Sequence, residues 1–148
     1  MSTRAVASAV FPVPIEKVWA EVRDFTFPVR LIGSLIDYCN IEDNASPFTV
    51  GAVRTLRWKT GETRKDRLLE LSDQYRRITW ELIEADPPTE ASAAISSVKL
   101  YRVTETSHTL VEWSCDFSAD ISNDFVIFSQ KAFLENLKEM RKTLTGGQ

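Results

Sequence analysis

Few side chains in this 148-residue sequence are equipped for chemistry, and the ones that are missing narrow the field first. There is one histidine, His108, which excludes any site built on two or more imidazoles, among them the two-His-plus-carboxylate iron site and the His-rich zinc sites. No metal ligand set is therefore expected. His108 lies between Ser107 and Thr109 in a stretch that reads as a hairpin, the setting of an exposed turn residue rather than a base. Cys39 and Cys115 are too few for a zinc ribbon or a disulfide framework, and both read as small core hydrophobes. Ser8, Ser34 and Ser97 have no histidine beside them, so a Ser-His-Asp hydrolase is not supported. A Gly-rich phosphate loop is absent as well. What is left are polar side chains set in otherwise apolar patterns: Tyr38, Asn40, Glu81, Lys99, Tyr101 and Asn136. Their chemistry would be hydrogen bonding to a ligand, or proton transfer, without a cofactor.

Such groups need elements to hold them, and the length suits one domain spanning residues 1–148. The chain is 43% hydrophobic and 26% charged, the profile of a chain that folds by itself. Its 18 Lys and Arg against 21 Asp and Glu give a net charge of -3, with no one-signed field to hold nucleic acid. No apolar run approaches the roughly 18 to 20 residues of a membrane span. With no secretory leader pattern at the N-terminus, a cytoplasmic protein is expected.

Arg4 to Phe11 alternates Ala5, Ala7, Ala9 and Phe11 with Val6, Ser8 and Val10, the pattern of a strand. Pro12 and Pro14 stop it. Ile15, Val18, Trp19 and Val22 then recur at helical spacing over Ile15 to Asp24, and an apolar stretch from Phe25 to Leu35, broken by Pro28 and Gly33, predicts a second short helix or turn. From Ile36 the period becomes two, predicting strands at Ile36 to Glu42, Ala52 to Lys59, Thr63 to Leu71, Arg77 to Ala85, Ser92 to Thr104 and Thr109 to Ala119. Thr60-Gly61 marks a tight hairpin and Asp86-Pro87-Pro88 a rigid loop. From Asp124 to Leu144 the helical period returns, with Phe125, Phe128, Ala132, Phe133, Leu137, Met140 and Leu144 in one stripe, Ser122 as N-cap and Gly146-Gly147 at the end. The expected fold is α+β: a seven-stranded antiparallel sheet curled around a long C-terminal helix, with two short helices between strands 1 and 2. On one sheet face Val111, Trp113, Cys115 and Phe117 would stand together, as would Ile78, Trp80 and Leu82. They either fill a core or wall a cavity. By period two Lys99 and Tyr101 share a face, both inward or both outward. Asn136 falls on the apolar side of the last helix, where a buried amide needs a partner or a ligand.

The element order, together with Val-Pro-Ile-Glu-Lys-Val-Trp-Ala-Glu-Val-Arg-Asp-Phe at Val13 to Phe25, resembles the SRPBCC superfamily, whose members include START and birch-pollen-allergen-like proteins. Gly51-Ala52-Val53-Arg54, Arg67 to Leu71, Ile78 to Glu84 and Val111 to Phe117 fall where its polyketide cyclase/dehydrase and lipid-transport branch has similar motifs. The resemblance implies a helix-grip fold with a deep cavity between sheet and last helix, lined here by Trp80, Tyr101, Val111, Trp113, Cys115, Phe117, Phe133, Asn136 and Leu137. Mid-chain the sequence is similar to lachrymatory-factor-synthase-like proteins. That similarity makes Arg54 and Asp66 the catalytic pair, with aspartate standing where those proteins carry glutamate.

Across the Thr60-Gly61 hairpin such a pair would lie about 4.5 to 5.5 Å apart, and the arginine would stabilise an oxyanion while the carboxylate moved a proton. The competing expectation is an exposed ion pair on the charged segment Lys59 to Arg67, worth at most about 1 kcal/mol. Asp86-Pro87-Pro88-Thr89 resembles the loop at the cavity mouth of related plant hormone receptors. Two functions follow. The first is binding of a small, mostly apolar or aromatic molecule, with any chemistry being cofactor-free cyclisation, dehydration or isomerisation. The second is a non-catalytic lipid or hydrophobic-ligand carrier or sensor acting through a protein partner. A monomer or weak dimer is expected in either case.

Overall fold

The structure, a computed structural model, describes residues 3–147. In strand β1 (Arg4–Phe11) the alternation buries Ala5 and Phe11 completely. Pro14 precedes helix α1 (Ile15–Val22), whose buried stripe is Ile15, Val18, Trp19 and Val22. The helix stops two residues short of Asp24, because the Asp24 carboxylate accepts from the Thr26 N–H at 2.8 Å and the Thr26 hydroxyl at 2.6 Å and turns the chain into α2 (Phe27–Leu31). Pro28 sits in the first turn of α2, where its missing N–H is not needed. At Gly33 a side chain would meet the Val29 carbonyl oxygen at 2.7 Å, so the turn out of α2 requires glycine.

Six further strands follow: β2 (Ile36–Ile41), β3 (Val53–Trp58), β4 (Thr63–Ser72), β5 (Arg77–Asp86), β6 (Ala94–Val103) and β7 (His108–Phe117), each boundary within two residues of the sequence pattern. A single 3-10 turn, Glu42–Asn44, lies between β2 and β3. All seven strands form one sheet in the order β1-β7-β6-β5-β4-β3-β2, with every adjacent pair antiparallel. The first two strands in sequence are thus the two edges.

Helix α3 (Asn123–Thr145) begins with the Ser122 hydroxyl accepting from the Phe125 N–H at 3.1 Å and ends at Gly146 in the left-handed region, φ 73°. It packs on β1, β7 and α2. Its buried residues are Val126, Ser129, Asn136, Leu137 and Met140. The stripe expected from the sequence is rotated at its start: Val126 and Ser129 turn inward, while Phe128 is 68% exposed. Phe11, Val18, Val22, Leu68, Ile78, Val98, Leu137 and Met140 form the solid part of the core. This is the α+β helix-grip architecture. Among the described residues no helix is long and apolar enough to cross a membrane.

Candidate functional site

The β3–β4 hairpin turns at Gly61, whose φ of 101° few side chains tolerate, and the Gly61 N–H donates to the Trp58 carbonyl at 2.9 Å. From that turn the register places Arg54 directly opposite Asp66. The Arg54 Nε donates to Asp66 Oδ2 at 3.0 Å, and the side chains are only 2% and 5% exposed. An exposed surface ion pair is therefore not what forms. Arg54 Nη1 also donates to the Phe25 carbonyl at 2.9 Å, and the guanidinium carbon lies 4.3 Å from the Phe25 ring centre and 4.6 Å from that of Trp80. Rings on both the α1–α2 connection and the sheet thus surround the cation.

The arrangement leaves two polar atoms unused. Arg54 Nη2 and Asp66 Oδ1 have no hydrogen-bond partner, although among the described residues every fully buried polar side-chain atom has one. Their slight remaining exposure faces the cavity that both residues line. Burial pushes the Asp66 carboxyl above its ordinary value of 3.8, and the attraction of Arg54 offsets this only in part. A carboxyl held more strongly in its protonated form when folded contributes its full stabilisation below that ordinary value. The contribution is lost as pH rises through the folded value. We expect the Asp66 carboxyl carbon, followed by NMR, to titrate above 3.8, with folding stability declining across the same window. A midpoint at or below 3.8 would sink this reading of the site.

The cavity has a volume of about 320 Å³ between the sheet and α3. Rings wall it: Trp80 lies 5.8 Å from Trp113 edge to face and Phe133 5.8 Å from Trp113 in a stack, with Phe27 buried behind them 6.0 Å from Trp113. Among these rings are set Ser96, Cys115, Ser129 and Asn136. Asn136 lines this space, and its side chain makes no hydrogen bond to another described residue. Burial pushes the Cys115 thiol up to about 11, and Cys39, in the core, likewise to about 11, which leaves both inert as nucleophiles near neutral pH. Thr60, Glu62, Arg64, Phe128 and Glu135 surround the opening, with Thr89 of the β5–β6 loop.

Of the residues expected at the site, Arg54, Asp66, Trp80, Trp113, Cys115, Phe117, Phe133 and Asn136 line this cavity. Val111 and Leu137 lie deeper, fully buried in the solid core. Tyr101 is on the opposite face, 39% exposed, because the buried Leu100 takes the inward position and Lys99 and Tyr101 alternate outward, with the Lys99 ammonium 5.2 Å from the Tyr101 ring. Glu81 also faces out and binds Arg67 at 3.0 Å. Asn40 is exposed and Tyr38 half-buried on edge strand β2. The expectations did not include Arg64, Ser96, Ser129, Phe125 and Phe128 as lining residues. Arg64 was accessible by period two from Asp66, whereas Ser129 and Phe128 depend on the rotation of α3, which periodicity leaves loose by one position. Among the described residues no three His, Cys, Asp or Glu side chains are placed to share a metal.

The sequence profile of the polyketide cyclase/dehydrase and lipid transport family matches residues 2–145. The chain belongs to this family. No curated protein matches it. Solved structures similar to this family member include a protein from Nitrosospira multiformis, 27% identical over 95% of each chain with a TM-score of 0.83. XoxI from Bacillus cereus is 25% identical, with 97% of this chain and 93% of that one covered and a TM-score of 0.74. Major latex-like protein 151 from Panax ginseng shares the fold at 14% identity, with 98% and 97% covered and a TM-score of 0.74. The family's breadth, from cyclase to lipid transporter, suggests a hydrophobic ligand and leaves the reaction to the residues of the cavity.

Proposed function

We propose that the cavity binds a small, mostly apolar or aromatic molecule and that Arg54 and Asp66 transfer a proton on it without a cofactor. The observation that carries this reading is the pair of unused atoms: one guanidinium nitrogen and one carboxylate oxygen, both opening from a buried ion pair into a space walled by rings. A carbonyl oxygen of the ligand placed on Arg54 Nη2 is polarised, and Asp66 Oδ1 takes a proton from the adjacent carbon. The resulting enolate is held by the guanidinium. Return of the proton at a different carbon completes an isomerisation, while its delivery to a departing hydroxyl completes a dehydration. Burial raises the affinity of Asp66 for its proton, which makes the ionised carboxylate a stronger base than a free one.

The second reading is a hydrophobic-ligand carrier. It is favoured by the other duty of Arg54, which ties the Phe25 carbonyl to the sheet and needs no chemistry to be useful. The two separate in one experiment. Wild-type protein and Asp66→Asn are purified from the protein's own cells, their ligand is detected by native mass spectrometry, and the extracted molecules are compared by chromatography. Different molecules, substrate on the variant and product on the wild type, are expected for the proton-transfer reading. The same molecule on both establishes the carrier. An empty cavity in both overturns the two readings together.

A further inference from the structure

We infer that the molecule taken up by the cavity carries a single carboxylate-type anionic group at its outer end, and that Arg64 receives it. This rests on the reading of the cavity as an apolar binding site and adds the chemistry of the ligand's exposed end. Two cations line the cavity, Arg54 and Arg64. The charge of Arg54 is matched by Asp66 at 3.0 Å, so the base of the cavity has no net call for an anion. Arg64 differs. It stands two residues before Asp66 on the same face of β4, opposite Leu56 of β3, and is therefore about 7 Å further toward the opening.

The Arg64 guanidinium makes no hydrogen bond to another described residue. Its ionic contact is with Glu62 at 3.9 Å, too long for a hydrogen bond. Elsewhere on the sheet Arg4, Arg67 and Arg77 hold carboxylates at 2.9, 3.0 and 2.7 Å, so this sequence readily makes close pairs where it supplies a partner. At the cavity mouth it leaves a planar five-donor fork open, the geometry suited to a bidentate carboxylate. The side chain is 41% exposed and lines the cavity together with Asp66 and Cys115.

The surroundings limit what the anion is. Glu62 and Glu135 also line the opening, 49% and 68% exposed, and Glu135 has Lys138 at 3.5 Å. Two nearby carboxylates oppose a dianionic phosphate more than a monoanion, and they make the attraction to Arg64 short-ranged, exerted on contact rather than by steering. The ligand is thus amphipathic. Its carbon body lies among the rings, its reacting end at Arg54 and Asp66, and its carboxylate about 7 Å outward along β4.

The test uses two near-isosteric probes, 1-naphthylacetate and the neutral 1-naphthylacetamide, with binding to wild type, Arg64→Met and Arg64→Lys measured at pH 7 by calorimetry and by tryptophan fluorescence. Wild type is expected to bind the acid about tenfold tighter than the amide, as a charge-assisted bidentate contact provides. Arg64→Met is expected to erase that preference by weakening the acid alone, and Arg64→Lys to keep part of it. Equal binding of the two probes by wild type, or an acid affinity that Arg64→Met leaves unchanged, overturns the inference while the apolar cavity stands. Failure of wild type to bind either probe overturns the cavity reading itself and the inference with it.

Discussion

Arg54→Met is expected to lower the folding stability by about 3 to 5 kcal/mol, because it leaves the Asp66 carboxylate buried with no cation beside it. The Arg54→Met/Asp66→Leu double variant is expected to be the more stable of the two. Its residual loss should be about 1 to 3 kcal/mol, since the Phe25 carbonyl no longer receives the Nη1 hydrogen bond. The reasoning turns on sign. Burial raises the proton affinity of Asp66 more than Arg54 lowers it, so the ionised carboxylate is a burden on the fold even when paired. Removing both charges lifts that burden, while removing the cation alone increases it. Urea unfolding of the three proteins at pH 7 measures the difference. A double variant as unstable as the single one would mean that the pair is retained for the architecture of the α1–α2 connection, and the case for chemistry at Asp66 would fall.

The second large effect is at Trp113. Its ring contacts Phe27 of α2, Trp80 of β5 and Phe133 of α3, so one side chain joins three elements across the cavity. Trp113→Ala is expected to cost about 3 to 5 kcal/mol, since the deletion enlarges a space already present and the rings around it have no other surface to settle on. For a chain of this size that is a fall in Tm of roughly 6 to 20 °C. Trp58, half-buried at the rim, provides the control, and Trp58→Ala should lose much less. Near-equal losses at the two positions would show that the cavity collapses on deletion and that its walls are not held apart by the ring contacts.

Local patterns in the sequence were sufficient for the frame of this site. The Thr60-Gly61 signal located the hairpin but not its register: a two-residue turn there would set Arg54 against Arg67, whereas the loop holds three residues, Lys59 to Gly61, and sets it against Asp66, the partner that the family resemblance implied. The inward positions of Trp80, Trp113 and Cys115 followed from the period of two. Phase was not legible where both faces carry mixed residues, and Tyr101 illustrates this: period two ties it to Lys99 but does not say which way the pair points. The burial of Arg54 was hidden for another reason. Nothing around Lys59 to Arg67 distinguishes a charged surface hairpin from one whose inner rung is sealed by Phe25 and Phe27, because those rings arrive from a distant segment, Phe25 lying 29 residues before Arg54. The exposure of Phe128 escaped notice likewise, since a helical stripe one position out of phase fits the same apolar residues.

The strand order has a consequence for the way the protein is made. Among the strands β1 pairs with β7 alone, and the Arg4–Asp116 pair that joins them spans 112 residues of sequence. At synthesis rates of about 5 to 20 residues per second, β1 is finished roughly 5 to 20 seconds before its partner is complete. For that interval an alternating apolar strand has an unpaired ladder on both sides, and α3, which later covers it, is made last of all. The sheet therefore has to be completed from its C-terminal side, with β1 docking late and its ladder unsatisfied until β7 arrives.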